Sequence, residues 1–207
     1  PGQTFQARKL LQFLRSSLAE DGEDVLLEPY LLSWDQLLNF MESLGTMVSF
    51  FSQKTRLLTS LPAQAYRSVR SMVEAELQAG MVSFSRRTDS GCRTLLRLHR
   101  SLLWLKLMLE GLSEGPDAEG RFKTSIRCSH VTDAYKVALA PHHPWMLRQA
   151  AEIVFLALPD REYFLQLVCV QKQEEATPVL RIIIHTLSVV HTRTQRLLAK
   201  YNMLELP

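Results

Sequence analysis

The chain has 207 residues, of which 46% are hydrophobic and 22% are charged, and its formal net charge is +3. This much apolar sequence can form one sizeable core, and the charge is too weak for a typical nucleic-acid-binding surface. Three cysteines are present, Cys92, Cys128 and Cys169, and they form neither a zinc pattern nor an obvious disulfide framework, so we expect no bound metal. We also expect no cofactor and, because the net charge is weak, no nucleic-acid partner.

Helical spacing of apolar residues dominates the first half of the chain, and no run alternates as a strand does. We predict helices over 5–20, from Pro29 to 61 with a kink or break at Gly45, and over 64–84. Proline suits the first turn of a helix, where its missing N–H is not needed, so Pro29 is well placed to begin one.

The second half continues in the same way. A polar loop leads into a helix over 90–112, with Asp89 or Ser90 as its N-cap, and the polar, glycine-containing residues 113–125 form another loop. Further helices are predicted over 127–140, 145–158, 161–171 and Pro178–Tyr201. Residues 181–191 are rich in β-branched side chains, but no partner strand is available, so a helix is favoured there. The result is one all-α domain, residues 1–207, of about eight helices.

The helix over 90–112 carries an arginine stripe, which we define as Arg93, Arg97 and Arg100. At roughly 100° per residue these side chains fall within about 60° of arc, and most of the remaining surface is apolar. Two interpretations stay open from spacing alone. The arginines form a solvated face paired with acidic residues of a neighbouring helix, or they hold an anion beside an apolar interior. The second interpretation predicts an amphiphilic ligand with an acidic head group.

Catalytic patterns are missing from the sequence: it contains no GxSxG, HExxH or CxxC and no glycine-rich phosphate loop. Cys92 lies beside Arg93 at a predicted helix start, which favours the thiolate, but no base is assigned to it. We therefore predict a structural cysteine and no enzymatic activity.

His143, in a proline-bounded turn, either holds one hydrogen-bond partner or faces water. Trp145 either anchors at a membrane interface or packs on a neighbouring helix.

Several stretches together resemble the glycolipid transfer protein family, and in particular its branch that carries ceramide 1-phosphate. They cover nearly the whole chain and are LLEPYLLSW (26–34), SLGTMVSFFSQ (43–53), YRSVRSMVEAEL (66–77), SGCRTLLRLHRSLLWLKLMLEGL (90–112), HHPWMLR (142–148), ALPDREYFL (157–165) and the final LLAKYNMLELP. The resemblance implies a two-layer helical sandwich that encloses the hydrocarbon chains of one sphingolipid. It also implies non-enzymatic transfer by a monomer that contacts membranes peripherally and reversibly. We expect a cytoplasmic protein, unless an anchor or signal precedes Pro1.

The resemblance also assigns roles to residues. Arg93 and Arg97 match the arginines that grip the lipid phosphate, and Arg87 and Lys54 match further basic residues at the head group. His143 matches the histidine that bonds the ceramide amide, and Trp145 resembles the tryptophan by which family members dock on membranes. An arginine at 97, where sugar-binding members have a tryptophan, is typical of phosphate selectivity, because guanidinium offers directed donors to phosphate.

One position departs from the family pattern. Phe50 stands where the family has an aspartate one turn before the lysine, and the SFFSQKTR segment is about one turn shorter than the family's. Losing this carboxylate would weaken amide recognition by about 1–3 kcal/mol. The alternatives left open are therefore sphingomyelin or another phospholipid as the cargo, or a lipid sensor or adaptor that binds without transferring.

Overall fold

The structure is a computed structural model that describes residues 5–43, 66–114, 129–156, 161–167 and 173–207. Within these ranges the chain forms eight α-helices, one short 3-10 turn and no strand longer than an isolated bridge. The helices are α1 (Ala7–Ser17), α2 (Leu27–Ser43), α3 (Val69–Gln78), α4 (Gly91–Ser113), α5 (Ser129–Ala138), α6 (Trp145–Leu156), α7 (Arg161–Leu167) and α8 (Gln173–Lys200), and the 3-10 turn is Ala140–His142. The all-α prediction is confirmed.

Helix α4, which carries the arginine stripe, packs against α3, α5, α7 and α8, and α1 packs against α2 and α8. The central position of α4 follows from its composition, because Leu95, Leu98, Leu102 and Leu105 are fully buried. Trp34 and Tyr30 of α2 are also inaccessible to solvent and add large apolar surfaces to the same core. The arginine stripe therefore lies on a helix that packs against four other helices of the described ranges.

Several predicted helix boundaries differ from those in the structure, and two of the larger differences have a local reason. The helix predicted over 64–84 ends at Gln78, because Gly80 adopts a left-handed backbone with φ of 67°. Helix α8 begins at Gln173, five residues before the predicted start, and accommodates Pro178 in its second turn. The side chain of Pro178 is exposed, so the ring is not forced into the core. Residues 181–191 are helical, as predicted.

Pro29 lies in the first turn of α2, as predicted, although that helix begins two residues earlier. The continuation of this helix through Gly45 lies outside the described residues, as do Phe50, Lys54 and Pro62. Among the ranges that the structure describes, no helix is both long enough and apolar enough to span a bilayer.

Candidate functional site

The start of α4 is fixed by side-chain acceptors for its free backbone N–H groups. Ser90 is the N-cap, as predicted, and its Oγ accepts from the Arg93 N–H at 3.2 Å. The carboxylate of Glu76, on α3, accepts from the N–H groups of Gly91 at 2.6 Å and Cys92 at 2.9 Å. Glu76 is fully buried, and charge-assisted bonds to a helix N-terminus compensate its desolvation. The register of α4, and with it the arginine stripe, is thus set by α3.

Cys92 does not have the reactive character that its sequence position suggested. Its side chain is fully buried, and burial and then the adjacent Glu76 carboxylate raise the pKa of the thiol. The expected preference for the thiolate is wrong, because the sequence does not reveal a buried carboxylate that cancels the influence of the helix N-terminus.

The arginine stripe faces a cavity of about 480 Å³ at one side of α4. The cavity combines cations with apolar surface, and its walls come from α4, the α3–α4 loop, the turn before α6 and the end of the chain. Its lining residues are Arg87, Arg93, Leu96, Arg97, Arg100, Ser101, Leu139, His142, His143, Pro144, Leu147, Glu205, Leu206 and Pro207. Arg87, Arg93 and Arg97, which the resemblance assigns to the head group, and His143, which it assigns to the ceramide amide, therefore line the same cavity.

The three arginines of the stripe differ in what they contact. The Arg93 Nε donates to the main-chain oxygen of Pro207 at 2.7 Å, and the Arg100 Nη2 donates to the Leu204 carbonyl at 2.7 Å. Arg97 has no hydrogen-bond acceptor or ion-pair partner for its guanidinium among the described residues. Pairing with acidic residues of a neighbouring helix is therefore not the arrangement found within the described part of the chain.

The electrostatic consequence is clearest at Arg97. Its pKa is lowered first by burial and then by the nearby Arg93, Arg87 and Arg100 guanidinium groups, with Asp89 opposing. Burial likewise lowers the pKa of Arg100, and the Glu205 carboxylate opposes that shift. A half-buried cation among other cations is unfavourable, and an anion in the cavity would relieve that repulsion.

His143 lies at the edge of the same cavity and is oriented by α5. Its Nδ1 is 2.9 Å from the hydroxyl of Tyr135, whose ring is buried and packs against the imidazole with centroids 5.6 Å apart. When Tyr135 donates to Nδ1, the neutral imidazole carries its proton on Nε2. His143 can then donate a hydrogen bond from Nε2 to a carbonyl oxygen.

Trp145 is the first residue of α6, and 66% of its surface is exposed. Met146 is 77% exposed and Ile153, on the same face of α6 two turns later, is 70% exposed. Pro144 and Leu147 beside them in the chain line the cavity. The interpretation of Trp145 as a residue packed on a neighbouring helix does not fit this exposure. An apolar surface instead borders the mouth of a cationic cavity.

Several features of the site were not predicted from the sequence. Arg100 belongs to the predicted stripe but was assigned no role, and His142 entered the sequence argument only as part of the HHPWMLR stretch. The contribution of residues 205–207 to the cavity was missed entirely, because nothing local in the sequence signals contacts over a hundred residues away. Lys54 lies outside the described residues, so its position relative to the cavity stays a prediction. Within the described ranges, no group of three or more His, Cys, Asp or Glu side chains could hold a metal ion.

Comparison with known proteins identifies the group to which this architecture belongs. The sequence profile described as "Glycolipid transfer protein (GLTP)" matches residues 25–170. Ceramide-1-phosphate transfer protein of Xenopus laevis is 40% identical over 98% of this chain and 97% of its own length, and the Homo sapiens protein is 40% identical over 91% of this chain and 90% of its own.

Solved structures agree with the sequence relatives. The crystal structure of human ceramide-1-phosphate transfer protein in complex with 12:0 ceramide-1-phosphate is similar with a TM-score of 0.86 and 36% identity, covering 99% of this chain and 100% of that one. The mouse protein without ligand is similar with the same TM-score of 0.86 and 33% identity, covering 98% and 100%. The predicted fold, a helical sandwich of the glycolipid-transfer-protein type, is confirmed. With the profile match and nearly full-length relatives at this identity, the chain belongs to the glycolipid transfer protein family.

Proposed function

We propose that this protein transfers a phosphorylated sphingolipid between membranes, with ceramide 1-phosphate as its cargo. The observation that carries the proposal is the cavity in which Arg87, Arg93, Arg97 and Arg100 converge against apolar side chains. Four arginines and one glutamate line it, so the excess of positive charge favours a phosphate monoester, which carries about −1.5 to −2. The named relatives, which are ceramide-1-phosphate transfer proteins, support the same cargo.

The head group is held by ionic hydrogen bonds from the stripe. Arg97 is the principal phosphate contact, because its guanidinium has no other acceptor among the described residues and its charge is opposed by its neighbours. Arg93 and Arg100 each retain N–H groups beyond those already bonded to main-chain oxygens, since guanidinium has five. Lys54 joins them by the resemblance, and Arg87, exposed on the α3–α4 loop, closes over the phosphate from the solvent side.

The ceramide amide and the hydrocarbon chains are recognised separately. His143, oriented by Tyr135, donates to the amide carbonyl. The two chains enter an apolar pocket between helices, where burial contributes about 0.8 kcal/mol per methylene, close to what leaving the bilayer costs. Uptake is therefore nearly balanced, and the lipid can be released again. No bond is made or broken, so the protein is not an enzyme, as a family of transfer proteins implies.

Docking on the membrane uses the exposed apolar residues at the start of α6. Trp145 and Met146 insert at the interface, where an indole ring satisfies both its apolar body and its N–H. Because Pro144 and Leu147 line the cavity, this contact brings the mouth of the head-group site to the membrane surface.

The protein acts as one domain over residues 1–207, as a monomer in the cytoplasm with transient membrane contact. The solved relatives that match 99% of the chain support the single domain.

A transfer assay between donor and acceptor vesicles tests the proposal. Fluorescent ceramide 1-phosphate, ceramide, sphingomyelin and phosphatidic acid with matched chains are compared as cargo. The expected result is transfer of ceramide 1-phosphate well above that of the other three. Equal transfer of phosphatidic acid would place the selectivity in the phosphate alone and implicate Phe50, which replaces the family aspartate. Preferred transfer of sphingomyelin would contradict the cargo, and binding without transfer would identify a sensor.

A further inference from the structure

The end of the chain forms one wall of the cationic cavity, and its path is fixed by anchors on both sides. Helix α8 ends at Lys200, and Asn202 just beyond it adopts a left-handed backbone with φ of 57° and turns the chain back towards α4. Tyr201 donates its hydroxyl to Glu74 on α3 at 2.8 Å. Met203 is fully buried and Leu206 is 6% exposed. The tail segment, defined as Leu204–Pro207, is thereby held against the arginine stripe.

Two main-chain oxygens of the tail segment accept hydrogen bonds from the stripe. The Leu204 carbonyl accepts from Arg100 and the Pro207 oxygen accepts from Arg93, both at 2.7 Å. Each bond uses one of five guanidinium N–H groups and restricts a side chain that otherwise has several free torsions. At Arg93 the bond is made by Nε, which leaves both terminal nitrogens available for two-point contact with an anion.

The Glu205 side chain does not explain these contacts. It is 85% exposed, and its carboxylate lies 4.0 Å from the Arg100 Nη2, beyond hydrogen-bond distance. The ordering of the two arginines comes from main-chain atoms, whose positions depend on the anchoring of Met203 and Leu206 rather than on the charge of the segment.

We propose that the tail segment is a positioning element of the head-group site, which holds Arg93 and Arg100 in the orientation that binds the lipid phosphate. The proposal rests on the proposed function, because it assumes a phosphate ligand at the stripe. Arginines that are ordered before the ligand arrives lose less conformational entropy on binding, so the tail segment raises the affinity for the phosphate without contacting it. It should have no effect on recognition of the ceramide amide.

Deletion of residues 205–207 tests the proposal, since it removes the acceptor of Arg93 and keeps Leu204. The dissociation constants of short-chain ceramide 1-phosphate and of the same ceramide without phosphate are measured by calorimetry for the wild type and the variant, and circular dichroism verifies the fold. We expect the deletion to weaken binding of the phosphorylated lipid about tenfold, which corresponds to about 1.4 kcal/mol. Binding of the unphosphorylated lipid should change less than twofold.

Two further variants separate positioning from a general structural effect. In an Arg93→Leu background the same deletion should weaken binding of the phosphorylated lipid clearly less than in the wild type, because one of the two side chains that the segment orients is gone. Glu205→Gln, which keeps every main-chain acceptor and removes one negative charge from the cavity lining, should not weaken binding of the phosphorylated lipid. If the deletion does not fold, Leu206→Ala loosens the same segment at full length and should show the same selective loss.

The outcomes distinguish this inference from the proposed function. A deletion that weakens both lipids equally, or acts equally in the Arg93→Leu background, overturns the positioning role. So does an unchanged affinity for the phosphorylated lipid. A wild-type protein that binds both lipids equally well overturns the proposed function itself, and the positioning role with it.

Discussion

Substituting Arg97 should weaken binding of the lipid without lowering the stability of the ligand-free protein. Arg97→Gln removes the only guanidinium of the stripe without an acceptor among the described residues, and glutamine avoids adding apolar surface to a site that receives hydrocarbon chains. A charged hydrogen bond contributes about 2–3 kcal/mol, so the dissociation constant of ceramide 1-phosphate should rise about 30- to 150-fold. Because burial and neighbouring cations disfavour the charge, the free energy of unfolding without ligand should not fall.

The assay combines calorimetric binding of short-chain ceramide 1-phosphate with urea unfolding of the ligand-free protein. Arg196→Gln is the matched control, because Arg196 is exposed on α8 and does not line the cavity. It should alter neither quantity measurably. A loss of stability in Arg97→Gln that parallels the loss of affinity would refute the reasoning, since it would mean that Arg97 supports the fold and not the ligand.

Three other predictions concern docking, pH and packing. Trp145→Ala should slow transfer between vesicles about tenfold without changing binding of a short-chain lipid in solution, and equal losses would contradict a docking role. Burial and then the neighbouring His191 ring lower the pKa of His99 to about 3, so the unfolded chain binds more protons between pH 6.5 and 3, and His99 alone should lower the free energy of unfolding by about 2 kcal/mol on acidification to pH 5. His99→Gln should reduce the pH dependence in urea unfolding and leave the contribution of His191, whose pKa burial lowers to about 4, whereas His185→Gln, exposed on α8, should retain the full dependence. Gly91→Ala should lower the free energy of unfolding by about 1–3 kcal/mol, because its Cβ would lie 2.8 Å from the Glu76 carboxylate, and an unchanged urea midpoint would contradict that packing.

The helical fold was predictable because it depends on local patterns. Apolar spacing identified the helices, and the nearly all-round apolar surface of 90–112 indicated that this helix is central, which its buried leucines confirm. Ser90 was recognised as an N-cap by residue type alone. Helix ends were less predictable, since the left-handed conformation of Gly80 and the acceptance of Pro178 within α8 depend on the surrounding packing.

The cavity was only partly predictable, because some of the contacts that form it join distant parts of the chain. Spacing placed Arg93, Arg97 and Arg100 on one face, but could not choose between solvent pairing and an anion site. The main-chain acceptors of Arg93 and Arg100 lie in residues 204–207, 104 or more positions away, and such contacts leave no local pattern in the sequence. The Glu76 carboxylate beneath the start of α4 is equally remote in sequence from the helix that it holds. Family resemblance bridged some of this distance by naming His143 and Arg87.

Native mass spectrometry after incubation with mixed lipid vesicles tests the central claim most directly. We expect a one-to-one adduct with ceramide 1-phosphate that is present in the wild type and lost in Arg97→Gln. An adduct dominated by a lipid without a phosphate monoester, or one that persists in Arg97→Gln at wild-type abundance, would contradict the assignment of the arginine stripe to the lipid phosphate.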